Sequence, residues 1–225
     1  PRLFAALPEH AMDDVAQFLR HLTDFCPSAL EALSVDEMGD FVTLMVTFIS
    51  SPRYVTNPYL RATVTKLLRF LVPRSEDNAR RASHSEQLAA VFNSHRLART
   101  HLAPALMQFF IDIEFGGSGY EKYEYRSEIA QILEYLWTLP EYRTAMVGFT
   151  RGATFVRFVN FLINDSIYSM DEALTKLHAI RQFERDSADE AAWGRLTPQQ
   201  RHQRQTSHEN HENAARYFLT FTGEV

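Results

Sequence analysis

The chain has 225 residues, 45% hydrophobic and 12% aromatic, enough apolar surface to bury a large core as one big domain or two small ones. A formal charge of −5 with pI near 6.0 leaves no overall positive field for phosphates or anionic lipid, which argues against nucleic acid and membrane surfaces as partners. A single cysteine, Cys26, excludes an internal disulfide framework and suits a reducing compartment.

In chain order, Pro1-Arg2-Leu3-Phe4 carries neither an initiator Met nor a secretory signal, so the chain reads as an excised fragment. Pro8-Glu9 leads into a helix whose stripe is Val15, Phe18, Leu19 and Leu22, stopping near Pro27. Ser34-Val35-Asp36-Glu37 is a capping box, followed by an apolar face of Phe41, Leu44, Met45, Phe48 and Ile49. That stretch, the longest apolar one, is far shorter than the ~20 residues a membrane span needs. Asn57-Pro58 supplies an N-cap and a first-turn proline, and Leu60, Val64, Leu67, Leu68 and Leu71 repeat the stripe to Pro73.

Residues 74–87 are polar and hold too little apolar surface to offset their ordering entropy, which predicts an exposed loop. Helix returns with Leu102, Leu106, Phe109, Phe110 and Ile113 and ends at Gly116-Gly117-Ser118-Gly119. Ile129, Ile132, Leu133, Leu136 and Trp137 make the next stripe, and Pro140-Glu141 restarts a short helix. Two helices are expected over 153–184, the second starting at the capping box Ser169-Met170-Asp171-Glu172. From Arg185 the chain is polar, with a cap at Thr197-Pro198-Gln199-Gln200, and a long solvated helix is expected over about 185–222. About ten helices without strands predict an all-α fold, a stack of helical pairs of the armadillo or HEAT kind in one fragment spanning 1–225.

No set of residues has the spacing of a catalytic site. His202, His208 and His211 lie near Glu209 and Glu212 but form no zinc-binding pattern, so a solvated helix face is expected and no metal. Cys26 sits at a helix end with no nucleophile signature. The glycine run lacks the Lys-Ser/Thr of a phosphate loop. No catalytic residue, cofactor or metal is assigned.

The segment from Phe155 to Ile163 is apolar around most of its circumference, which predicts a central helix covered by neighbours on several sides. Arg157, Asn160 and Asn164 fall at i, i+3 and i+7 and make one polar stripe on it. Two readings are open. The three side chains satisfy backbone carbonyls inside the stack, or they line its concave surface and bind an extended partner segment through its backbone.

Several blocks then follow one another in a telling order. They are Phe48-Ile49-Ser50-Ser51-Pro52 leading to Asn57-Pro58-Tyr59-Leu60-Arg61-Ala62, and Phe109-Phe110-Ile111-Asp112-Ile113-Glu114-Phe115 with Gly119 after it. Next come Tyr123-Glu124-Tyr125-Arg126 before Leu136-Trp137, and Pro140-Glu141-Tyr142-Arg143. Phe155 to Asp165 and Met170-Asp171-Glu172-Ala173-Leu174 complete the series, with Trp193 and Leu196 fitting after them. Together they resemble the core of the U-box ubiquitin chain-elongation factors, the E-four ubiquitin ligases.

The resemblance implies an armadillo-like helical core in a ubiquitin-protein transferase that extends polyubiquitin chains on already modified substrates for proteasomal degradation. It implies cytoplasmic and nuclear work, including degradation from the endoplasmic reticulum. The implied partners are an AAA unfoldase of the valosin-containing-protein type, shuttle proteins with ubiquitin-like domains, and a ubiquitin-conjugating enzyme recruited by the U-box. No U-box counterpart occurs before Val225, so this fragment is expected to be a non-catalytic spacer. The polar segment 74–87 departs from the family pattern. The competing expectation is a stand-alone armadillo-like peptide-binding adaptor unrelated to ubiquitin, since fold does not fix function.

Overall fold

The computed structural model describes residues 9–26, 28–29, 32–53, 55–72, 89–113 and 121–224. Among them the chain is all-α: α1 (Glu9–Phe25), α2 (Val35–Ser50), α3 (Pro58–Leu71), α4 (Arg96–Asp112), α5 (Glu121–Thr138), α6 (Pro140–Thr150), α7 (Ala153–Ala188), α8 (Glu190–Gly194) and α9 (Pro198–Glu224), with a further helical stretch over 89–94. The expected polar loop 74–87 and glycine stop 116–119 lie outside the described residues. No helix among the described residues is long and apolar enough to cross a membrane. The chain divides into two compact units, Pro1–Val159 and Asn160–Val225.

Helix starts follow local chemistry. At α2 the Glu37 amide donates to Ser34 Oγ at 3.3 Å while the Ser34 amide donates to Glu37 Oε2 at 2.9 Å, so two otherwise unpaired donors are satisfied. The Ser34 hydrogen bonds hold the exposed Glu37 carboxyl below its ordinary range. At α3 the Tyr59 amide donates to Asn57 Oδ1 at 2.9 Å, with Pro58 at the first turn. At α9 the Gln200 amide donates to Thr197 Oγ1 and Gln200 Oε1 accepts from the Thr197 amide.

In the first unit α1 packs on α3 and α3 on α5, while α2 packs on α4 and α4 on α6; α2 with α3, and α5 with both α4 and α6, join the two series. Helices next but one in sequence therefore share a layer, a contact pattern that stacked helical pairs produce. The core between them holds Val42, Met45, Phe48 and Ile49 of α2, Leu60, Leu67 and Leu68 of α3, Leu102, Leu106, Phe109 and Phe110 of α4, and Ile129, Ile132 and Leu136 of α5. Phe41 and Leu44, expected on the α2 core face, are half-buried, and Val42 and Val46 take their place. The α1 stripe is more open than expected, with Val15 and Phe18 exposed.

Two buried arginines tie this unit together. Arg61, 4% exposed, donates from Nη2 to the Ile49 carbonyl at 3.1 Å and from Nη1 to Asp112 Oδ2 at 3.2 Å, with its guanidinium 4.2 Å from the Phe109 ring centre. Arg126, fully buried, donates from Nε to the Phe110 carbonyl at 3.1 Å and lies 4.9 Å from the Phe110 ring. Ile49 and Phe110 stand in the last turns of α2 and α4, where carbonyls lack intrahelical donors and the helix dipole favours a cation. Burial lowers the Arg61 pKa and Asp112 opposes that shift. Tyr142, also fully buried, donates its hydroxyl to the Phe92 carbonyl at 2.9 Å.

The second unit is a helical hairpin. Tyr168 meets Phe218 edge to face at 6.0 Å, Phe183 stacks on His208 at 4.2 Å, and Asp186 pairs with Arg204 at 3.6 Å. As one residue number rises the other falls, so α7 and α9 run antiparallel. Two expectations are corrected here. The capping box at Ser169 does not start a helix: α7 runs unbroken from Ala153 to Ala188, and Ser169 is fully buried. Asp165, Ser169 and Ala173, four apart and all buried, form one continuous buried helix face, and a break would forfeit that burial. The single long helix over 185–222 is instead interrupted between Ala188 and Pro198. Asp189 caps α8 by accepting from the Ala192 amide at 3.0 Å, and Pro198 disfavours helix in the residue before it.

Arg61→Ala is expected to lower stability by about 3 kcal/mol, because it orphans the Ile49 carbonyl and strips Asp112 of its cation. Arg61→Met, which keeps the packed stem but makes neither hydrogen bond, should lose most of the same amount; a Met variant as stable as the parent in urea unfolding would refute the role of these bonds. Burial raises the phenols of Tyr142 and Tyr135, so the folded state holds those protons more tightly than the unfolded one. That stability is complete below the unfolded phenol pKa of about 10 and declines as pH rises above it. Tyr142→Phe should cost about 1 kcal/mol at neutral pH and flatten the alkaline decline, as read from urea midpoints between pH 7 and 11.

Candidate functional site

The helix that carries the polar stripe has one buried face and a second, exposed apolar one. One face of α7, through Asp165, Ser169 and Ala173, is buried. Another face, about 120° round the helix, carries Ile163, Ile167, Met170, Leu174 and Leu177, all exposed, with Leu174 at 62%. Their spacing alternates four and three residues, which keeps them in line along the helix. The expectation that the segment from Phe155 to Ile163 is covered on several sides is corrected: Phe158 is buried, but Val156 is 62% and Ile163 50% exposed.

Arg157, Asn160 and Asn164 are all exposed. Arg157 belongs to the first unit, Asn160 and Asn164 to the second. Asn160 continues the apolar line three residues before Ile163, and Asn164 flanks it. None of the three makes a side-chain hydrogen bond or ion pair among the described residues, so they do not satisfy carbonyls inside the stack. A polar group that faces water without a structural partner is free to engage something else.

The other chemical candidates have structural explanations. His208 stacks on Phe183, and its Nε2 lies 3.4 Å from Glu212 Oε1. Cys26 is exposed just beyond α1. A hollow of about 270 Å³ near the α8 turn is lined by Arg185, Asp186, Asp189, Trp193 and Arg204 among others. There Asp186 faces Arg204 and Asp189 caps α8, which leaves no converging acid, base and nucleophile.

The sequence blocks set out above meet in space: Arg61 of one holds Asp112 and Phe109 of the next, and Arg126 of a third holds Phe110. A family model described as the ubiquitin elongating factor core matches residues 1–225. The chain belongs to the ubiquitin elongating factor core family. Its similarity extends to a probable ubiquitin conjugation factor E4 of Arabidopsis thaliana, 35% identical over 100% of this chain and 21% of that protein. It is 31% identical to ubiquitin conjugation factor E4 of Schizosaccharomyces pombe, over 84% of this chain and 18% of that protein. It is 24% identical to the E4 ubiquitin-protein ligase UFD2 of Saccharomyces cerevisiae, over 83% of this chain and 19% of that protein. The chain thus spans about a fifth of the length of these relatives. Sequence reasoning picked out the arginine blocks of this elongating factor core by resemblance, but their roles as caps of neighbouring helices needed the tertiary contacts.

Asn160→Ala and Asn164→Ala are each expected to leave unfolding free energy within about 0.5 kcal/mol of the parent, as for exposed positions without partners. A loss several times larger in urea titration would mean that these side chains serve the fold.

Proposed function

We propose that this chain is a non-catalytic helical scaffold within a ubiquitin-protein ligase of the U-box type, which elongates polyubiquitin chains on substrates that already carry ubiquitin. The observation that carries this reading is the family match over all 225 residues. The names of the relatives, ubiquitin conjugation factors and an E4 ubiquitin-protein ligase, support it. In this reading catalysis depends on a U-box outside these residues, which recruits the charged ubiquitin-conjugating enzyme. The buried charged and phenolic groups here serve as helix caps and interhelix ties, a use that suits a scaffold. The layered packing of α1 to α6 supports armadillo-like repeats.

As the rigid part of such a ligase, the segment would set the distance between substrate-side contacts and the U-box. The parent would work in cytoplasm and nucleus, including degradation from the endoplasmic reticulum, alongside an AAA unfoldase of the valosin-containing-protein type and shuttle proteins with ubiquitin-like domains. Asn160 and Asn164, and in the first unit Arg157, are the exposed polar side chains through which it would hydrogen-bond a neighbouring segment.

The test is a reconstituted reaction with ubiquitin-activating enzyme, charged conjugating enzyme and a mono-ubiquitylated substrate. The full-length protein should lengthen chains, this segment alone should not, and the full-length protein lacking it should fail. Chain growth by the segment alone would refute the scaffold assignment.

A further inference from the structure

The open face of α7 is an unpartnered surface with a readable code. Ile163, Ile167, Met170, Leu174 and Leu177 alternate four and three residues apart and are all exposed. They extend over about 21 Å of helix, roughly 120° round the helix from the buried line of Asp165, Ser169 and Ala173. A helix with one buried face and a second, apolar face left in water has room for two neighbours. In the second unit only one of them, α9, is in place.

We propose that this face is the packing seam for another α-helix of the same, longer polypeptide. This rests on reading the chain as one segment of a larger ligase. A helix is the right shape because the seam has the heptad spacing that receives side chains of a facing helix. An extended segment would need backbone groups to pair with, and the backbone of α7 is spent on its own hydrogen bonds. Asn160 stands on the same line three residues before Ile163, where one polar residue fixes the register of two packed helices.

Length selects the same polypeptide over a second copy. The apolar line covers about two heptads, short of the three to four that a self-sufficient coiled coil sustains. A free partner must offset the loss of its translational and rotational freedom, whereas a tethered helix does not. The matched stretch makes up only 21% of the Arabidopsis relative and 18% of the Schizosaccharomyces one, so most of such a polypeptide remains to supply the helix.

The experiment places a photo-crosslinker in the seam of the purified full-length protein, as Ile167→p-benzoylphenylalanine. Irradiation should yield a product of monomer mass whose crosslinked peptide maps outside residues 1–225. A product of twice the mass would assign the seam to a second copy. A crosslink within these residues, or none, would mean that no other helix covers it; each of these outcomes overturns the proposal. In parallel, Leu174→Glu should raise the rate of limited proteolysis about tenfold or more in the full-length protein and leave this chain by itself unchanged. Equal effects in both would place Leu174 in the fold of the segment and also overturn it. Chain elongation in the reconstituted reaction is scored separately, so the ligase reading survives a failure of the seam.

Discussion

A guanidinium taken out of water needs acceptors for its protons, and the first unit is organised around one whose two Nη atoms both find them. Arg61 reaches from α3 to the Ile49 carbonyl at the end of α2 and to Asp112 at the end of α4, over the face of Phe109. Three helices are held by one side chain, and each contact answers a need already present. The last carbonyls of α2 lack donors, Asp112 needs a cation, and Phe109 offers the electron-rich face of its ring. Arg126 repeats the device at Phe110 from α5. The apolar core alone would tolerate some sliding of helix on helix, because hydrophobic attraction has no direction; hydrogen bonds to particular carbonyls fix which turns face each other.

The second unit has no such buried arginine among its described residues. Its hairpin is held by aromatic contacts of Tyr168 with Phe218 and of Phe183 with Trp193 and His208, and by the exposed Asp186–Arg204 pair, which in water contributes little. Its buried residues are Asp165, Ser169 and Ala173 of α7 and Ala215, Phe218 and Phe221 of α9. Such a hairpin buries one face of each helix and leaves the other to be covered. Ile163, Ile167, Met170 and Leu174 of α7 lie exposed on another face.

The shifted titratable groups of this chain have structural causes. Titratable groups with shifted pKa values often mark active sites, yet here Arg61 and Tyr142 owe their shifts to burial in the service of helix ends and interhelix hydrogen bonds. Within the first unit the arginine ties fix which helix turns face each other.

By itself the sequence determined what is local. The capping boxes at Ser34 and Thr197 and the Asn57-Pro58 start are met as expected, since a cap needs only residues within one turn. All-α content, most of the core stripes and membership in a ubiquitin elongating factor family were legible as well. Tertiary structure decided the rest. The capping pattern at Ser169 gave way to a continuous helix because burial of Asp165, Ser169 and Ala173 on one face outweighs a local alternative. His95 caps α4 through Nδ1 while its Nε2 lies 3.0 Å from the Gly39 carbonyl of α2, a pairing 56 residues distant that no periodicity announces. Arg157, Asn160 and Asn164 showed as a polar line in sequence, yet whether that line faced carbonyls or water depended on which side of α7 met α9. Periodicity records that a face is apolar or polar; only the path of the chain in space assigns it a neighbour.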